Sequence, residues 1–144
     1  MAADKMVNSL KADLRKLTDD LDSSLANLIL CMIFQKRPAI NPDAWTLCVS
    51  ANGLDELSDR AAIAYILRKL EEDCTPETSA AIERVLVLRS FDSATLELLR
   101  DIESEEDARL LIGRSVFGRT IGRAQLFLVR NAESVAAPRQ VSLA

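Results

Sequence analysis

The chain has 144 residues, 49% hydrophobic and 28% charged, with a net charge of −4 and no histidine. That length suits one domain able to bury a core without disulfides or metal. The negative balance argues against a general nucleic-acid binder, whose footprint is basic.

Leu10, Leu14, Leu17, Leu21, Leu25, Leu28 and Met32 recur at steps of three or four. They predict a long, nearly straight amphipathic helix over about 4–35, stopped by Pro38. Residues 28–34 are apolar all round, so that end is expected to be enclosed by protein. Asn41-Pro42-Asp43 reads as cap, first-turn proline and acid. It opens a short predicted helix carrying Trp45, Leu47, Cys48 and Val49, ended by Asn52-Gly53. The next helix is expected from Asp55 or Ser58 to Asp73, with Ala62, Ile63, Ile66, Leu67 and Leu70 inward. Thr75-Pro76-Glu77 repeats the cap signal and starts a fourth helix, with Ile82, Val85, Leu86 and Leu88 as core candidates. Phe91-Asp92-Ser93 reads as a break and re-cap before a short helix through Leu96, Leu99 and Ile102.

Ser104-Glu105-Glu106-Asp107 is the last start signal. Gly113, Gly118 and Gly122 follow it, and each costs about 1 kcal/mol in a helix interior. The run to Arg130 is therefore expected to bend or break near Gly118. No segment alternates apolar and polar over five or more residues. The expected fold is all-α: a single-domain helical bundle of six or seven helices over 1–131, built on a long N-terminal helix. Residues 132–144 are expected to be a loose tail.

Without histidine the usual general base, triad partner and commonest metal ligand are missing. No phosphate-binding glycine loop, EF-hand spacing or Cys-x-x-Cys pair occurs, so no cofactor and no metal are expected. Cys31, Cys48 and Cys74 are odd in number and far apart, which favours a reducing, cytoplasmic location over a secreted disulfide framework. No signal peptide is visible, and no apolar run approaches the roughly 20 residues that span a bilayer. The densest acidic cluster, Asp101, Glu103, Glu105, Glu106 and Asp107, reads as a solvated helix start.

Charge is uneven: residues 73–107 balance at −7 and residues 108–144 at +5. In a helix, Arg119 and Arg123 lie one turn apart and Arg130 two turns further along the same face. Guanidinium groups grip carboxylates and phosphates in bidentate fashion. Gly118 and Gly122 form a small-x-x-x-small pair that lets another helix or a ligand approach closely. Phe117, Gly118, Arg119, Gly122, Arg123 and Arg130 are accordingly the candidate partner-binding residues. The plainer alternative is that these arginines pair with the chain's own acidic 97–107 region.

Ser115-Val116-Phe117-Gly118-Arg119 resembles the BH1 signature of Bcl-2-type helical proteins, with Phe117 where that family has tryptophan. The likeness covers five residues and implies a groove that receives a partner's amphipathic helix.

These features point to a non-enzymatic protein–protein interaction protein acting through helical surfaces, as a regulator, adaptor or assembly subunit. A homodimer through the apolar stripe of the first helix is the expected self-contact. Nucleic-acid or phosphate binding by an arginine face at 119–130 is the main alternative. A Bcl-2-like helix-in-groove binder and an enzyme using carboxylates alone are the others.

Overall fold

Strands, and not a continuation of the first helix, occupy the most apolar stretches of the chain. The computed structural model describes residues 2–37, 44–102, 105–116 and 118–130. They build a curled five-stranded sheet covered by helical segments, so the all-α expectation is overturned. In chain order the elements are α1 (Ala2–Ser24), β1 (Leu28–Lys36), β2 (Trp45–Ala51), α2 (Asn52–Asp55) and α3 (Asp59–Asp73). There follow α4 (Pro76–Ala81), β3 (Ile82–Val87), α5 (Ser93–Asp101), a 3₁₀ helix (Glu105–Leu111), β4 (Ser115–Val116) and β5 (Arg119–Val129). The strand order is β3-β2-β1-β5-β4. Only β2 and β3 run parallel, joined by the crossover that contains α2, α3 and α4; the other neighbours are antiparallel.

The long helix expected over 4–35 stops at Ser24. Asn27 takes a left-handed backbone (φ 48°), which asparagine tolerates better than most residues. The chain then enters β1. This strand is central, flanked by β2 and β5, and Leu28 through Gln35 are all buried. A strand buried on both faces reads as one continuous apolar run, which periodicity alone cannot tell from a buried helix. The same reason converts the short helix expected at 45–51 into β2, whose seven residues are all buried. The Asn41-Pro42-Asp43 cap lies outside the described residues, as does the tail expected at 132–144.

The two faces of the sheet carry two cores. On the first face, Leu10, Leu14, Leu17 and Leu21 of α1 and Ala62, Ile66 and Leu70 of α3 pack on Cys31, Ile33, Trp45, Leu47, Val49 and Phe127. On the second face, Leu98, Leu99 and Ile102, with Leu111, pack on Leu30, Met32, Phe34, Cys48, Ile121 and Leu126. Burying one leucine is worth about 1.5–3 kcal/mol, so the α1 stripe binds this helix firmly to its own sheet. The stripe expected to form a homodimer is thus consumed within the chain.

Local signals held where they depended on neighbouring residues. Ser58 caps α3, its hydroxyl accepting from the Ala61 N–H, and Thr75 caps α4 by accepting from the Thr78 N–H. Leu67, assigned to the inward face of α3, is 45% exposed. The fourth helix ends at Ala81, and Ile82 onward is strand β3. The helix expected over 104–130 is instead a 3₁₀ turn followed by a β-hairpin, with Gly118 (φ 78°) at its turn.

Candidate functional site

β5 carries most of the residues singled out from sequence, and its two bulges decide where they point. Against β1, Gln35 pairs with Arg123 but Lys36 pairs with Ile121, so Gly122 is an extra residue. A second bulge falls at Phe127, between the Cys31–Leu128 and Met32–Leu126 pairs. Each extra residue resets the alternation of side chains and bends the strand.

Arg119 lies directly opposite Val116 across the hairpin. Cross-strand partners share a face, so Arg119 is on the second face with Val116 and Ile121. Beyond the bulge, Arg123 is on the first face, its guanidinium carbon 5.2 Å from the centre of the Trp45 ring. The expected same-face ladder of Arg119, Arg123 and Arg130 does not form. The small-x-x-x-small pair is likewise a hairpin turn (Gly118) and a bulge (Gly122). Phe117 lies outside the described residues. With Ser115, Val116 and Arg119 in paired strands, the described part of the segment that resembles the BH1 signature is not helical.

Several arginines are consumed internally. Arg130 donates to both carboxylate oxygens of Asp22 (3.0 and 3.3 Å) and to the Leu28 carbonyl, tying the end of β5 to the end of α1. Arg114 pairs with Asp101. Arg89 reaches the Leu54 carbonyl (2.7 Å) and the Asp59 carboxylate. Arg15 lies over the Phe127 ring at 5.9 Å.

Arg123 differs from these. It is exposed, rests on Trp45, and makes one long contact, 3.5 Å, from Nη1 to the Gln35 side-chain oxygen. Gln35 is itself buried, and its amide donates to the Ala44 carbonyl at 3.3 Å. An aromatic face holds a guanidinium by its quadrupole without neutralising it. Among the described residues no carboxylate pairs with Arg123, and none pairs with Lys36, Arg37 or Arg119 at the same end of the sheet. Arg37 is anchored there by its N–H to the Thr120 carbonyl (2.7 Å). A β-carbon added at Gly122 would sit 3.4 Å from both Arg37 Cβ and the Gln35 carbonyl, so the bulge seats closely on the end of β1.

The remaining polar clusters lock elements together. Asp13 of α1 accepts from the Thr75 N–H (3.1 Å), the Thr75 hydroxyl (2.9 Å) and the Thr78 hydroxyl (2.6 Å). Burial pushes the Asp13 carboxyl up, but the hydrogen bonds from Thr78 and Thr75 outweigh it and hold the group below the usual range. Ser90 donates its N–H (3.0 Å) and its hydroxyl to Asp55, with Asn52 Oδ1 3.0 Å from the same hydroxyl, joining α2 to the segment after β3. Burial raises the Cys31 thiol to about 11 and the Cys74 thiol to about 12, and raises Cys48 further. Neutral thiols of this kind are poor nucleophiles. Among the described residues no group of His, Cys, Asp or Glu is arranged to hold a metal ion, and no helix is long and apolar enough to cross a membrane.

Sequence reasoning singled out Arg123 and Gly122 but missed Trp45, Gln35, Lys36 and Arg37. The signal available was Lys36-Arg37 directly after the apolar run, which reads equally as a helix stop and as the charged end of a buried strand. Comparison of the chain with protein-family models, with curated proteins and with solved structures gives no match.

Proposed function

We propose that this is a non-enzymatic protein-binding protein that engages an acidic segment of a partner through the sheet end formed by Lys36, Arg37, Arg119 and Arg123. The observation that carries this reading is Arg123, held out on Trp45 with no carboxylate partner among the described residues. No described carboxylate neutralises its charge, and stacking restricts its motion, so less entropy is lost when a carboxylate fork engages it. Three free thiols suit a reducing, cytoplasmic setting for this role.

Trp45 is the single tryptophan, so fluorescence excited selectively at tryptophan, apart from Tyr65, reports on this corner. Titration with an acidic polypeptide such as poly-glutamate at low salt is expected to change the emission saturably. The change weakens with added salt and is lost in Arg123→Glu. A flat titration, or one that Arg123→Glu leaves unchanged, defeats the reading. Phosphate binding, the alternative, is favoured instead if a single-stranded oligonucleotide binds and poly-glutamate does not compete.

A further inference from the structure

The sheet has two edges of unequal kind. At one edge the two-residue β4 covers only Arg119 and Thr120, and the rest of β5 is broken by two bulges, which blunt it as a template. β3, at the other, has six, Ile82–Val87, and Val85 through Leu88 carry no charge, glycine or proline. Its parallel register sets Leu47 against Val85 and Val49 against Val87, and the Leu88 N–H donates to the Val49 carbonyl at 2.9 Å. Backbone groups alternate in direction along a strand. The N–H groups of Leu86 and Leu88 therefore face β2, while Val85 and Val87 turn both N–H and C=O outward. Among the described residues no hydrogen bond satisfies these outward groups. Leu86 and Val87 are also only half-buried.

We infer that β3 is a self-association edge that pairs antiparallel with β3 of a second copy about a two-fold axis at Leu86. That register sets Val85 of each copy against Val87 of the other, so every outward group named above gains a partner. It also brings Glu83, exposed and the extra residue of a bulge at the start of the strand, toward the Arg89 end of the second copy. Arg89 is already fixed beside the strand end by the Leu54 carbonyl and Asp59. An acid and a base therefore approach one another at each end of an uncharged centre, and the contact is self-complementary, as a two-fold interface requires. Registers centred on Glu83 or Arg84 place like charges opposite one another, which is unfavourable. The paired edge is short, so association depends on concentration. This inference is independent of the cationic corner on β5.

Sedimentation velocity over a concentration series tests it, with amide hydrogen exchange read at Val85 and Val87. The full chain is expected to shift from the 15.9 kDa species to twice that mass, with both amides gaining protection as dimer forms. Val87→Pro removes an outward N–H and no bond to β2. Leu86→Lys puts two cations face to face at the axis. Both variants are expected to remain monomeric at concentrations where the parent chain is dimeric, with circular dichroism unchanged. If Val87→Pro does not fold, Leu86→Lys decides. A parent chain that is monomeric throughout, or a dimer that Leu86→Lys leaves intact, overturns the inference.

Discussion

Asp73, the last residue of α3, stands close enough to Asp20 of α1 for the two carboxyls to titrate together. Lys69 stands 3.4 Å from Asp20, and the Asp73 Oδ2 atom is buried without a donor. Two carboxyl groups in one site keep a proton between them. Burial, the hydrogen bond to Asp20 and its charge raise the Asp73 carboxyl to about 6. The Asp73 hydrogen bond chiefly, with Lys69, holds Asp20 below its ordinary value. Between about pH 4 and 6 the folded chain binds more protons at Asp73 than the unfolded chain does. This contribution is fully present below pH 4 and lost as pH rises through 6, by on the order of 1–2 kcal/mol once solvent screening is allowed for. Asp73→Asn keeps a donor toward Asp20 at every pH. Urea unfolding midpoints measured from pH 4 to 7 are expected to fall for the parent chain and stay level for this variant.

Asp13 behaves in the opposite sense. Its folded carboxyl is held below the ordinary carboxylate value, so its contribution is present above that ordinary value and lost as pH falls through the lowered one. Asp13→Ala leaves the Thr75 and Thr78 hydroxyls without their acceptor. A loss of about 1–3 kcal/mol is expected in chemical unfolding, with little change in secondary structure.

Gly118 and Gly122 separate two uses of glycine. Gly118 has a φ of 78° and open space around it, so Gly118→Ala is expected to cost about 1–2 kcal/mol through backbone strain alone. At Gly122 the nearest atoms to an added β-carbon stand at 3.4 Å, ordinary contact distance, so Gly122→Ala is expected to cost less. Thermal melts of the two variants beside the parent chain check the order.

Arg130→Ala removes the Asp22 pair and the donor to the Leu28 carbonyl together. The partly exposed ion pair contributes little; the carbonyl left without its donor contributes more. A loss of about 1–2 kcal/mol is expected, and Asp22→Asn, which retains the bond to Leu28, is expected to lose less than half of that.

Thiol labelling at pH 8 is expected to modify half-buried Cys74 slowly, and Cys31 and Cys48 only after unfolding. Their raised thiols leave little thiolate at that pH, and burial denies the reagent access. Rapid native labelling of either buried cysteine contradicts the packing described for β1 and β2.

Local hydrogen-bond chemistry was legible residue by residue. The Ser58 and Thr75 caps, the break at Asp92 and the leucine stripe of α1 each depend on neighbours within a few positions. Arg123 and Gly122 could be singled out on composition and spacing alone. Their surroundings could not, because Trp45, Gln35 and Arg37 come from distant strands. The runs 28–36 and 45–51 carry no period of two, since both faces of these strands are covered, and only their neighbours in the sheet make them strands. Arg130 finds Asp22 at a sequence separation of 108. Whether Arg119 and Arg123 share a face was decided by one extra residue at Gly122 in the register between β1 and β5. Register is a property of paired strands: slipping one residue turns every following side chain to the other face, and no single segment contains that information.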